Sequence, residues 1–367
     1  MTTLPMQATP AVAPTTPSGR FAKVAWAGVV YTLFVVLFGA VVRITGSGAG
    51  CGQHWPTCHG EIAHMPKSVE TLIEFTHRIT SGLCLPIVIS LWVWAVVRFE
   101  RGHATRRYAA LSVLLMVVEA LVGASLVLLE LVGANASVSR AGFMAVHLIS
   151  TSLLMGAMAL TAWTAGSAAT RELRIRAVDS DGRRLLMLML GVVLVSMLGA
   201  VTALGDTLYP VQEGAALAER LQGNHFLERL RIAHPISAVL LAAAIWWLMG
   251  RFQDAGDGHE QGGQSAIAGR EAARGDGDRP QAVSAGGSGS AGRTSARFHV
   301  QSATWARRVK ALLALQVCVG VVNIALSAPG YMQVTHLAVG TVLWVCLVLL
   351  FASHNTALRS EQARTTA

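Results

Sequence analysis

Residues 74–97 read EFTHRITSGLCLPIVISLWVWAVV: Glu74, His77 and Arg78 come first, followed by nineteen residues without a formal charge. An apolar run of about 20 residues is long enough to cross a bilayer core as a helix. Seven further runs of this kind fall near 24–43, 109–130, 142–165, 185–204, 230–250, 309–328 and 334–353. The chain therefore reads as an all-α polytopic membrane protein with eight transmembrane helices. What singles out the quoted stretch is His77, a few residues into the apolar run. His147, His234 and His336 take matching places in the fourth, sixth and eighth runs. An imidazole is costly at membrane depth and is usually kept there for a site.

Composition agrees with this class. Of the 367 residues 53% are hydrophobic and 13% charged, and the mean hydropathy is +0.51. A soluble domain carries about a quarter charged residues. The net charge of +9 would suit a nucleic-acid binder, but its distribution excludes one. Basic residues crowd alternate loops: Arg98, Arg101, Arg106 and Arg107; Arg171, Arg174, Arg176, Arg183 and Arg184; Arg307, Arg308 and Lys310. The positive-inside rule places these loops in the cytoplasm, together with both termini. Residues 1–23 carry Pro5, Pro10, Pro14 and Pro17 and no cleavable signal, and they read as a disordered cytoplasmic tail. Residues 251–305, rich in Gly, Ser, Ala and charge, read as a disordered cytoplasmic linker, and 354–367 as a second tail.

Beneath the linker lies a duplication. Phe38-Gly39-Ala40-Val41-Val42 ends the first run and Leu198-Gly199-Ala200-Val201-Thr202 the fifth. Glu119-Ala120-Leu121-Val122-Gly123 is echoed by Gln316-Val317-Cys318-Val319-Gly320, His147-Leu148 by His336-Leu337, and His77 with Ile79 by His234 with Ile236. Two tandem four-helix bundles follow, 24–165 and 185–353, joined by a basic loop at 166–184, and each owns one histidine pair. Every even-numbered helix enters from the outer side, so all four imidazoles lie within roughly 5–10 Å of that interface at 1.5 Å per residue. Facing helices offering one imidazole each suit bis-histidine haem ligation. Hydrogen-bonded polar residues near an interface are the plainer alternative.

The outer loop at 44–72 is glycine-rich and holds Cys51 and Cys58 with His54, His59 and His64. Three readings stay open for it: a structural disulfide, a redox-active dithiol, or a metal site built from Cys and His. Glu74 shares a helix face with His77 and is placed to orient the imidazole or handle protons. Arg78 is placed to meet an acidic group such as a haem propionate. Cys84, Cys318 and Cys346 fall inside helices as small apolar fillers.

The runs Arg43-x-Thr45-Gly46-Ser47-Gly48, Cys51-Gly52-x-x-Trp55-Pro56-x-Cys58 and Ile73-Glu74-x-x-His77-Arg78 resemble haem A synthase. With the eight helices and four histidines, the resemblance covers nearly the whole chain outside the first tail and the linker. It implies an enzyme that oxidises the C8 methyl of haem O to a formyl group, making haem A for terminal oxidases. It further implies substrate haem on His77 and His147 with Glu74 as the essential acid, and a haem b cofactor on His234 and His336. All four histidines would then be axial iron ligands, with Arg43, Arg78 and Arg231 as candidate propionate contacts and Cys51 and Cys58 as the family's loop pair. A haem O synthase and an electron acceptor are the implied partners, and a homo-oligomer is compatible with the pattern. Two departures stand out: 205–228 contains no second cysteine pair, and Pro235 rather than arginine follows His234. A di-haem membrane cytochrome that only transfers electrons would use the same histidines but gives Glu74 and the cysteine loop no task. A two-repeat transporter with a histidine proton relay would need paired Gly/Pro-broken helices, which the sequence lacks.

Overall fold

The computed structural model describes residues 19–62, 64–167, 178–210, 225–274 and 288–365. Among these residues eight α-helices follow in order: α1 Gly19–Ile44, α2 Val69–Arg98, α3 Ala104–Leu128, α4 Val138–Gly166, α5 Ser180–Leu208, α6 Phe226–Arg274, α7 Ser288–Ala325 and α8 Gly330–Thr365. Each contains a stretch long and apolar enough to cross a membrane, and the described residues form no β-strand. The protein is an all-helical integral membrane protein.

Local chemistry sets the helix starts. Ser68 caps α2 by accepting from the Thr71 amide, Ser137 caps α4 through the Arg140 amide, and Asp179 caps α5 through the Gly182 amide. Each cap satisfies one of the orphan N–H groups of a first turn. Pro86 and Pro235 lie inside α2 and α6 without ending them, as transmembrane helices allow where neighbours take up the freed carbonyl.

Within each half the packing runs α1 on α2 and α4, α2 on α3 and α3 on α4, then α5 on α6, α6 on α7 and α7 on α8. The halves meet through α1, α4, α5 and α8. The most apolar window of α4 is 50% buried and that of α8 39%, against 11–28% elsewhere, so these two form the centre. They are joined where the Trp344 indole donates to the Ser152 carbonyl at 2.6 Å. Gly156 lies beside this contact, where a Cβ would meet Val348 and Trp344 Nε1 at ordinary contact distances of 3.5 and 3.6 Å. The outward faces are apolar: Val97, Met187, Leu240, Trp247 and Val321 are all more than half exposed. Such a surface suits lipid and would drive a water-borne protein to associate.

The eight apolar runs correspond one to one with the eight helices, but the linker differs from its expected irregular form. Helix α6 continues from the membrane stretch to Arg274, and α7 already begins at Ser288. Extending an anchored helix needs no new nucleus, so even a glycine-rich continuation can propagate. Near its base Lys310 donates to Gln253 at 2.8 Å, and Arg307 lies 3.3 Å from Asp257. Residues 1–18 of the expected 1–23 tail, the central part of the basic loop with Arg171, Arg174 and Arg176, the rest of the linker at 275–287 and loop residues 211–224 lie outside the described residues, while 19–23 open α1.

Candidate functional site

His77, His147, His234 and His336 lie eight, nine, eight and six residues past the first residues of α2, α4, α6 and α8, on the side of the 44–68 loop. That is about 9–14 Å along each axis. The helices begin before the apolar runs do, because polar residues such as Ser68 and Ser137 initiate them.

In the first half, His77 packs against α1. The Phe38 and His77 rings are 5.6 Å apart at 89°, and a Cβ on Gly39 would sit 3.2 Å from His77 Cε1. Nδ1 of His77 is buried with no hydrogen-bond partner. His147 lies on α4, which packs on the same helix α1 that carries the contacts of His77. Nδ1 of His147 is buried 3.4 Å from Oε1 of Glu119 on α3, a charge contact rather than an aligned hydrogen bond, while 33% of the side chain is exposed. The hydroxyls of Ser150 and Thr151, one turn after His147, donate to the two Glu119 oxygens.

The second half repeats this plan. His234 packs against α5, where a Cβ on Gly199 would lie 2.7 Å from its Cε1. Its Nδ1 is 3.2 Å from the Val195 carbonyl, a contact that places the proton on Nδ1 and leaves Nε2 free as a ligand. His336 on α8 is bounded by α7: Gln316 Nε2 donates to His336 Nε2 at 3.0 Å, and a Cβ on Gly320 would lie 3.1 Å from Cε1. Nδ1 of His336 is buried without a partner. The two rings lie 6.3 Å apart at 84°. Two metal–nitrogen bonds of about 2 Å plus the imidazole half-widths require roughly this separation. The buried unpartnered nitrogens and the spacing of the second pair both fit haem, which takes one or two axial imidazoles.

The structure thus brings His77 to His147 and His234 to His336. It also shows neighbours that sequence reading missed. Glu119 and Gln316 stand at equivalent places in the duplication, each against the histidine of the last helix in its half. An acid in the middle of the apolar 109–130 run was the available signal. The glycines of the echoed segments have a reason too, because Gly39, Gly199 and Gly320 each lie under an imidazole where any side chain would crowd it.

The loop over the first half is stapled by a Cys51–Cys58 disulfide with sulfurs 2.06 Å and Cα atoms 4.6 Å apart, and both cysteines are fully buried. Glu74 is 3% exposed. Its Oε2 accepts from the Cys51 amide at 2.8 Å, and its Oε1 from Arg78 Nε at 3.1 Å and from a second guanidinium nitrogen. Arg78 also donates to the Thr57 carbonyl at 2.5 Å and to that of His54. Gly50 sits where a Cβ would be 2.6 Å from the Glu70 backbone, and its carbonyl accepts from Thr71 Oγ1 at 2.7 Å. Glu74 and Arg78 therefore bind the loop to the helix that carries His77.

The other arginines are engaged as well. Arg43, ending α1, donates to the Ala203 carbonyl at 2.6 Å, Thr207 Oγ1 at 2.9 Å and Gln333 Oε1 at 2.9 Å, tying the first half to α5 and α8 of the second. Arg231 pairs with Asp206 at 2.7 Å and donates to the Tyr209 carbonyl.

Fold and geometry together define a class: a polytopic helical membrane protein with two imidazole pairs held at matched depth in a duplicated bundle. The chain belongs to the family of the haem A synthases, the cytochrome oxidase assembly proteins (COX15-CtaA), whose family model matches residues 22–260. It is 39% identical over 340 residues to a protoheme IX farnesyltransferase of Thermus thermophilus, a match covering 91% of this chain and 48% of that protein. Heme A synthases of Exiguobacterium sibiricum and Alkalihalophilus pseudofirmus are 39% identical over 100 residues and 41% identical over 97. Those matches cover 27% and 26% of this chain, and 34% and 32% of the relatives. The chain spans about half the length of the first of these relatives or less.

Proposed function

We propose that the chain is a haem A synthase, oxidising the C8 methyl of haem O to a formyl group in a bacterial plasma membrane with both termini cytoplasmic. The observation that carries this reading is the pairing of four imidazoles at one depth, with the first pair lying beneath the outer loop that Cys51–Cys58 staples. Haem O as substrate is held between α2 and α4 by His77 and His147. A haem b held by His234 and His336 supplies one-electron redox chemistry.

The chain's own residues orient the reaction. Glu119, fixed by Ser150 and Thr151, orients His147 from behind. Val195 does the same for His234 with a neutral carbonyl, whereas Gln316 donates to His336 Nε2, a hydrogen bond that ligation through that nitrogen would displace; among the described residues only the first pair has a carboxylate behind a ligand. Glu74 holds the loop amide of Cys51 against the helix of His77, and its carboxylate is the nearest acidic group of that helix for taking up a proton. Arg78 and Arg231 are paired with acidic groups at the outer edge and Arg43 is held by neutral oxygens, and propionates would join these contacts. Apolar walls exclude water and so favour oxidation of the bound methyl over side reactions.

The name of the Thermus thermophilus relative raises prenyl transfer as a second activity. We assign that step to the part of the relative that this chain does not cover. Prenyl transfer from a diphosphate generally calls for carboxylate-bound Mg²⁺. Among the described residues the one group of metal-ligand type is Cys58, His59 and His64. A separate haem O-forming prenyltransferase is then the natural partner, and an electron acceptor the other. The reading is tested by supplying haem O to membranes that contain the chain. Recovery of haem A supports it, and recovery of haem b alone supports an electron-transfer cytochrome.

A further inference from the structure

The outer loop holds a second cluster that the haem chemistry leaves unused. Ligand atoms of Cys58, His59 and His64 lie within 4.8 Å of one another. The His59 and His64 rings are 4.9 Å apart. Each ring already has one nitrogen engaged: His59 Nε2 contacts the Gly50 carbonyl at 3.0 Å, and His64 Nδ1 contacts Glu61 Oε2 at 2.9 Å. A carbonyl or carboxylate behind an imidazole is the usual support of a metal-ligating histidine, because it fixes the tautomer and raises the basicity of the other nitrogen. His59 Nδ1 and His64 Nε2 are the nitrogens left for an ion. The third ligand, Cys58, is bonded to Cys51, and a disulfide sulfur is a poor donor beside a thiolate.

We infer that this loop is a reductively gated site for a borderline-soft divalent cation of the zinc type, closed while Cys51 and Cys58 are bonded and opened by their reduction. A dithiol reductant delivers two electrons and two protons, converting the disulfide to two thiols and becoming a disulfide itself. The Cys58 thiol then gives its proton to solvent as its sulfur bonds the ion beside His59 and His64. Zinc sites have metal–sulfur and metal–nitrogen bonds of about 2.3 and 2.0 Å, which bring ligand atoms to roughly 3.5 Å of one another. The cluster must therefore contract by about 1 Å, a movement open to Cys58 once it is released. Three protein ligands leave a fourth position for water or for Glu61. The ion would take over the staple that the disulfide provides, keeping the loop that holds Glu74 and Arg78 closed under reducing conditions.

The test uses the purified, tag-free full chain in detergent, titrated with Co²⁺ as a spectroscopic stand-in for Zn²⁺, with and without a phosphine reductant. The reduced protein is expected to take one equivalent with thiolate-to-cobalt charge-transfer absorption, at least tenfold tighter than the oxidised protein. Cys51→Ser is expected to show the same band with no reductant, while Cys58→Ser and His64→Ala lose it. If Cys51→Ser does not fold, the reduced wild type decides the matter. Absence of the band in the reduced wild type, or its persistence in Cys58→Ser, overturns the inference.

Discussion

Gly199→Ala is the substitution whose consequence the geometry fixes most closely. The added methyl would lie 2.7 Å from Cε1, 3.1 Å from Nδ1 and 3.2 Å from Nε2 of His234. Ordinary contact begins near 3.4 Å, so the ring must retreat by about 0.7 Å. It cannot simply slide, because Nδ1 is tethered to Val195, one turn earlier on the same helix. Overpacking of this kind costs about 1–3 kcal/mol, equivalent to about 5- to 150-fold in affinity. A metal–ligand distance tolerates only about 0.2 Å. The haem of the second half should therefore be lost or lose one axial ligand. Three other glycines give a graded comparison: the closest approach is 3.1 Å at Gly320 and 3.2 Å at Gly39, and nothing lies within 4 Å at Gly123. Haem-to-protein ratio and low-spin absorbance, measured for alanine at each position, should fall least for Gly123→Ala, more for Gly39→Ala and Gly320→Ala, and most for Gly199→Ala. Wild-type haem content in Gly199→Ala, or equal loss in Gly123→Ala, would refute the reasoning.

Glu119→Gln gives the first half the neutral partner that Gln316 provides in the second. Because support behind a ligand is typically worth about 10- to 100-fold in metal affinity or activity, haem O turnover should fall by that range while the second-half haem keeps its spectrum. Arg43→Met leaves Gln333 Oε1 without its donor and takes one donor from the Ala203 carbonyl, which keeps Thr207 Oγ1, at a cost of about 1–3 kcal/mol. A lower midpoint of thermal unfolding in detergent, with both haems still bound at low temperature, is the expected result. Acid should act on the opposite face through Asp179, whose Oδ1 lies 2.9 Å from His354 Nε2. Burial works to raise its pKa, but the hydrogen bonds from His354 and the Gly182 amide outweigh it and hold the carboxyl below its usual range. Its contribution is complete above the unfolded carboxylate pKa and is lost as pH falls through the lower folded value. Asp179→Asn should flatten that acid limb of a stability-versus-pH curve and leave neutral pH behaviour to the remaining groups.

The helices were legible because membrane crossing demands long apolar runs, and the four histidines stood out against them. Pairing was legible only through the duplication: nothing local in Ala233-His234-Pro235 indicates that His336, about a hundred residues later, lies opposite. Glu119 stayed hidden because its role depends on α3 and α4 packing side by side, which spacing along one helix cannot reveal. The same holds for Arg43, whose motif suggested a propionate contact and whose partners in the structure are on α5 and α8. Cys51 and Cys58 left three chemistries open from sequence, and the folded loop bonds the two sulfurs to each other, as both the structural and the redox-active reading require. The continuation of α6 past residue 251 was missed because composition reports poorly on a helix that extends from an anchored one.

The central claim is that the first histidine pair, beneath the Cys51–Cys58 loop, is where haem O is oxidised. The most direct measurement is extraction and chromatography of haems from membranes co-expressing the chain with a haem O source, for wild type, His77→Ala and Glu74→Ala. The account predicts haem A from wild type and unconverted haem O from both variants. Haem A at the wild-type level in either variant, or only haem b from wild type, would contradict it.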